Sequence, residues 1–145
     1  MSDARTNTRL QEIVRRESRA LLQYVGDSFP WSTAGQRGIF AQIQQFIEDE
    51  SQGIGRIRRL LERRRVTAPF VGSYPSAFTS CNFVSLTYLL PKLVADEKQG
   101  IAALEQNLAQ VEDPESREVV AKLLESKRQH LQALDRFIIS QQPAS

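Results

Sequence analysis

Four polar residues stand where hydrophobes belong. Glu17, Glu50, Glu97 and His130 each fall on the apolar stripe of a predicted helix, and each is on a different helix. One such intrusion is ordinary variation; one on each of four helices predicts a shared interior layer. Three carboxylates and an imidazole could do two kinds of chemistry there. Carboxylate oxygen and imidazole nitrogen are donors for divalent transition metals. They could equally form an internal network of ion pairs and hydrogen bonds. That option demands a cation, because three buried carboxylates cannot all stay ionised without one. Lys127, three residues before His130 and on the same helical face, is a candidate for it.

The elements that must position these residues follow from 3-4 hydrophobic spacing. Leu10, Ile13, Val14, Glu17, Leu21 and Val25 predict a helix over residues 4–25, with Gly26 as its C′ residue and Pro30 as a stop. Ile43, Ile47, Glu50, Ile54, Ile57 and Leu61 predict a second over 33–65, capped by Ser32 or Thr33 and ending on Arg63, Arg64 and Arg65. Residues 66–80, with Pro69, Gly72 and Pro75, read as a crossover. Phe83, Leu86, Leu90, Val94, Glu97, Ile101 and Leu104 predict a third helix over 80–109. The apolar spacing continues through Pro91, so a kink is expected there rather than a split. Asp113 as N-cap and Pro114 at N1 open a fourth over 114–140. No strand is expected. Short first and third links make two antiparallel helix pairs. A crossover of about fifteen residues can extend ~50 Å, further than a ~30 Å helix, so it can leave helices 2 and 3 parallel. The expected fold is an all-α, single-domain four-helix bundle with one long crossover.

Composition narrows the function without naming it. The chain has 145 residues, long enough to bury a core unaided, and a net charge of +2, too balanced to announce a nucleic-acid binder. Cys81 is the only cysteine, which excludes an intrachain disulfide and a cysteine-based zinc site and fits a cytoplasmic setting. Residues Met1 to Thr8 lack a signal-peptide pattern, and no apolar run approaches the ~20 residues needed to span a bilayer. There is no nucleotide loop and no Ser/His/Asp or Cys/His constellation.

The polar layer also has a family likeness. In ferritin-like di-metal proteins, one Glu comes from each of two helices and a Glu-x-x-His pair from each of the other two. The chain resembles that superfamily, and its rubrerythrin-like branch in particular. The resemblance covers most of the chain. It rests on Glu17 with Tyr24 seven residues on, on Glu50, Glu97 and His130, and on the stretch DPESREVVAKLLESKRQHLQAL from Asp113 to Leu134. It implies Glu17, Glu50, Glu97 and His130 as metal-site positions, Tyr24 beside them, and iron or manganese as cofactor in an oxidoreductase or iron-handling protein. Two positions depart from the pattern. Gly53 stands where the pair begun by Glu50 should place a histidine, and Lys127 stands where the pair ended by His130 should place a glutamate. The expectation is therefore a degenerate site: no catalytic residue, no cofactor, and an internal Glu/Lys/His network in place of two metals. A mononuclear site on Glu97 and His130, or on Glu17 and Glu50, is an alternative.

Other signals carry plainer expectations. Gly53, Gly55 and Gly100 suit close helix packing, or else room for a small ligand in the vacated interior. Arg56, Arg58, Arg59 and Arg63 to Arg65 suit a solvated helix end. Trp31, Phe70, Tyr74 and Phe78 are expected to cover the bundle ends or anchor a homodimer. Cys81 is expected to be a buried structural thiol. The expected role is non-catalytic, through protein contact as a homo-oligomer, with no membrane or nucleic-acid partner.

Overall fold

A computed structural model describes residues 4–28, 32–67, 69, 71–81 and 84–141, and no strand occurs among them. The chain is all-α. Its helices are α1 (Ala4–Ser18), α2 (Leu21–Ser28), α3 (Arg37–Arg63), α4 (Leu86–Gln110) and α5 (Pro114–Gln141). Short 3-10 turns at Ala34–Gln36 and Ser76–Cys81 precede α3 and α4. Pro30, Trp31, Phe70 and Phe83 lie outside the described residues.

The first predicted helix is two. It breaks at Arg19 and Ala20, where no glycine or proline marks the sequence. The cause is tertiary. Asp96 of α4 accepts the Leu21 N–H at 2.9 Å through Oδ2, capping α2 as an N-cap carboxylate would. Arg16 donates to the Asp96 carbonyl at 3.3 Å, and Arg19 donates to the Ser73 carbonyl at 2.8 Å. Gly26 is not a C′ residue: α2 continues to Ser28, and Gly26 packs within 3.4 Å of Ile47 when given a Cβ.

α3 begins at Arg37 rather than 33, because Ala34–Gln36 form a tighter turn; the Thr33 N–H donates to Gln36 Oε1 at 2.9 Å. Its far end closes in a Schellman motif. The Arg65 N–H donates to the Glu62 carbonyl at 3.0 Å and the Val66 N–H to the Leu61 carbonyl at 2.9 Å. That closure puts Arg65 at φ 57°, left-handed backbone usually given to glycine.

α4 starts six residues later than expected, capped by Ser85, whose Oγ accepts the Tyr88 N–H at 3.2 Å. It runs unbroken through Pro91. α5 opens as expected, with the Ser116 N–H donating to Asp113 Oδ2 at 3.0 Å and Pro114 in the first turn.

α4 packs on α5, α5 on α3, and α1 on both α3 and α4, while α2 packs on α3 and α4. The buried apolar residues divide into two clusters. One holds Leu22, Ile43, Leu89, Leu93, Leu134 and Phe137 among others. The other is aliphatic, with Leu10, Ile13, Ile57, Leu104, Val120 and Leu124 among its members. Between the two clusters along α3, α4 and α5, and between Val14 of α1 and Leu21 of α2, sit the buried polar residues Glu17, Glu50, Glu97, Lys127 and His130.

Candidate functional site: a buried ammonium among three carboxylates

The layer draws its five members from four helical stripes, Lys127 and His130 sharing that of α5. Glu17 closes α1 after Leu10, Ile13 and Val14; Glu50 precedes Gly53, Ile54 and Ile57 on α3. Glu97 follows Leu93 and Val94 on α4, and Lys127 and His130 follow Leu123 and Leu124 on α5. Helical periodicity turns all of them inward, so the four expected residues and Lys127 do converge.

Lys127 stands at the centre. Its Nζ lies 2.6 Å from Glu17 Oε1, 2.7 Å from Glu50 Oε1 and 3.0 Å from Glu97 Oε1. Lys127 and Glu97 are 0% exposed, and Glu17 and Glu50 1%. Lys127 donates hydrogen bonds to Glu50 and Glu97; the Glu17 contact is an ion pair without hydrogen-bond geometry. The other Glu17 oxygen accepts from Arg16 at 2.8 Å. Glu50 Oε2 lies 2.7 Å from His130 Nδ1, and His130 Nε2 lies 3.3 Å from Asp49 Oδ2. Phe46 stacks on the imidazole, with ring centroids 4.3 Å apart.

The electrostatics sort the carboxyls. Burial pushes Glu97 up to about 9; the Lys127 charge opposes this and the Glu50 charge reinforces it. Burial would raise Glu50 too, but the field of Lys127 and hydrogen bonds from His130, Glu97 and Lys127 itself hold it down at about 2. Burial would lower Lys127, yet the three carboxylates outweigh burial and raise it above its usual range. Glu97 Oε2 finds no donor. A protonated Glu97 resolves that orphan, because it can itself donate to Glu50. Two cations, Lys127 and Arg16, then face two carboxylates, Glu17 and Glu50.

Glycine makes the arrangement fit. A Cβ on Gly100 would sit 2.6 Å from Lys127 Cε and 3.2 Å from both Lys127 Nζ and Glu17 Oε2. Gly100 thus leaves the space through which the lysine reaches the carboxylates. A Cβ on Gly53 would sit 2.9 Å from Leu123 Cδ1, so that glycine serves close packing of α3 on α5. Neither gap is free for a ligand. Gly55 faces only the mobile end of Arg59.

Glu50, Glu97 and His130 do bring ligand atoms within 4.8 Å of one another. The Lys127 ammonium, however, occupies hydrogen-bonding distance from two of these three residues, and a second cation beside it would meet like-charge repulsion in a low-dielectric interior. At position 53, Leu123 fills the space an imidazole would need. The residues present do not fit a di-metal pair.

Several participants escaped sequence reasoning. Arg16 and Asp49 are chain neighbours of Glu17 and Glu50, but spacing does not reveal that Arg16 also reaches Asp96 on α4 or that Asp49 meets His130 on α5. Gly100 carried a signal, a helix-interior glycine three residues after Glu97, without indicating what it made room for. Tyr24, expected beside the layer, packs edge-on against Tyr74 at 5.1 Å and near Phe78 at 5.7 Å. Pro75 and Phe78 also line a cavity with Arg16, Asp96 and Gln99, so this segment packs alongside the layer. Cys81 is buried.

The arginine cluster is partly spent inside the molecule. Arg58 donates to Ser18 Oγ, and Arg64 donates to Asn7, Ser116 and Asp113. A cavity of about 290 Å³ opens between α1 and α4 with Ile13, Leu104 and Glu17 on its lining. Among the described residues no helix is long and apolar enough to cross a membrane. No family model, curated protein or solved structure matches the chain.

Proposed function

We propose that the chain is a ferritin-like four-helix bundle of the rubrerythrin-like branch whose di-metal centre has been replaced by an internal ammonium. On this reading it is a cytoplasmic, non-catalytic protein that acts through protein contact as a homodimer. The observation that carries the reading is the Lys127 Nζ within 3.0 Å of carboxylates from three other helices. The bundle geometry is supported by the order of contacts. Glu97 and Leu108 of α4 meet Lys127 and Arg117 of α5, and Glu50 and Arg63 of α3 meet Lys127 and Glu115. Both series of contacts run antiparallel to α5, which supports parallel α3 and α4 and a long crossover between them.

A second reading, an iron- or manganese-binding oxidoreductase or iron-handling protein, draws on the Glu50, Glu97 and His130 cluster. Elemental analysis of protein purified without chelator separates the two. The ammonium reading predicts far less than one equivalent of iron or manganese per chain; two equivalents overturn it. Light scattering on the same sample tests the dimer.

A further inference from the structure

α3 packs on α1, α2 and α5 with one face and turns the opposite face outward. Gln42, Gln45, Glu48, Gln52, Arg56 and Arg59 are exposed along that outer face, on a helix of 27 residues, ~40 Å long. The charges on it are segregated: Glu48 and Asp49 precede Gln52, and Arg56 and Arg59 follow it. Charges that pair along one helix stand three or four residues apart. Here Asp49 and Arg56 are separated by two helical turns and Glu48 and Arg59 by three, roughly 10–17 Å along the axis, too far to meet. Neighbouring arginines are occupied inside the chain, Arg58 on Ser18, Arg63 on Glu115 and Arg64 on Asp113. Among the described residues, Arg56 and Arg59 have no ion-pair partner, and Glu48 holds only the Gln52 amide, at 3.2 Å.

We propose that the outer face of α3 is the contact between two copies of this chain, packed antiparallel about a two-fold axis between Gln52 and Gly55. Such an axis reverses the helix direction, so each residue before it meets one after it on the other copy. Glu48, Gln52, Gly55 and Arg59 follow one helical stripe, and Asp49 and Arg56 follow the stripe beside it. Across the axis Glu48 therefore faces the partner's Arg59 and Asp49 faces the partner's Arg56, each pair at one lateral position and each formed twice. Gly55 adds no side chain at the centre, where a Cβ would meet only the end of Arg59. A net charge of +2 leaves little repulsion between copies. The face is polar and one helix wide, so the contact belongs to the small, reversible class, held by charge complementarity rather than apolar burial. The inference deepens the homodimer of the proposed function, and rests on it, by naming the face and the pairing.

Sedimentation velocity of the full chain tests it. Asp49 also meets His130, at 3.3 Å, so the test falls on Glu48 and Arg59. Wild type should be dimeric in about 50 mM salt and dissociate in about 500 mM, where exposed charges are screened within a few ångströms. Glu48→Arg and Arg59→Glu should each weaken dimerisation roughly tenfold or more, because each sets two like-charged contacts across the axis. Lys98→Glu, a reversal at an exposed position of α4 with the same change in net charge as Arg59→Glu, should leave it unaltered. An equimolar mixture of Glu48→Arg and Arg59→Glu chains should dimerise as wild type does, since both contacts between the two variants then join opposite charges. All the substituted positions are exposed, and circular dichroism checks that each variant is folded. A wild type that stays monomeric at low salt sinks the homodimer of the proposed function together with this face. A wild-type dimer whose single reversals have no effect, or a mixture that does not recover, overturns the face alone and leaves the homodimer standing.

Discussion

At the middle of the molecule a lysine faces three carboxylates with no solvent; at one end an arginine faces an aspartate, a hydroxyl and an amide at the edge of solvent. Arg64 donates to Asp113 Oδ2 at 2.6 Å, Ser116 Oγ at 2.8 Å and Asn7 Oδ1 at 3.2 Å, and its side chain is 12% exposed. It ties α1, the end of α3 and the N-cap of α5 together. Lys127 ties α1, α3, α4 and α5 together. The cross-links are similar, but the media differ. Losing a partner at the end lets water in to replace it. Losing one in the middle strands charge in a low dielectric, where breaking a buried pair is far more damaging than its net contribution suggests.

Lys127→Met should therefore have the largest effect. It leaves the buried carboxyl groups of Glu17, Glu50 and Glu97 without their central cation, at a cost of about 3–5 kcal/mol in urea unfolding. Changing Glu17, Glu50 and Glu97 to Gln in the same chain should recover much of that loss. If the lysine change alone is harmless, the layer is not an ion-pair network.

Gly100→Ala should come next. Its Cβ would lie 2.6 Å from Lys127 Cε, backed by the Glu17 carboxylate, and overpacking of this kind costs about 1–3 kcal/mol. Ala for Gly in a helix interior otherwise stabilises by about 1 kcal/mol, so the sign of the change is diagnostic. Arg64→Ala should cost about 1–2 kcal/mol, the size expected for charge-assisted hydrogen bonds that water partly replaces. An Arg64 effect larger than that of Lys127 would reverse the comparison.

The pH dependence sharpens it further. Glu97 has its folded value raised from 4.5 to about 9, so its protonated form favours the folded state. That stability is whole below about 4.5, declines as the pH rises, and is gone once the pH has passed 9. Asp113 has the opposite sign. Burial alone would raise it, but the Ser116 N–H and hydroxyl and the Arg64 guanidinium lower it below 3.8. Its contribution is present above that pH and is lost as the pH falls through the lowered value. Glu97→Gln should flatten the decline in unfolding free energy between pH 4.5 and 9, and Asp113→Asn should leave that window unchanged. Urea titrations across pH measure both.

The layer was legible because helical periodicity is a strict code. A charge at Glu50 or His130 on an otherwise apolar stripe has nowhere to point but inward, and Lys127 three residues from His130 shares its face. The helix break at Arg19 was illegible because no local signal makes it; an aspartate 75 positions away along the chain caps Leu21. Gly26 misled in the other direction, since a glycine near a helix end suggests a C′ residue, and here α2 continues past it to Ser28. The role of Gly100 was beyond reach for a related reason. Its meaning is the path of another helix's side chain, and spacing within one helix carries no record of that.

The most direct test of the central claim is an experimental density map of protein crystallised in the presence of manganese, examined with anomalous scattering. The account predicts no anomalous peak among Glu17, Glu50 and Glu97, and continuous side-chain density placing Lys127 Nζ at 2.6–3.0 Å from their oxygens. An anomalous peak with oxygen ligands at roughly 2.0–2.2 Å, with Lys127 turned away from it, would contradict the account.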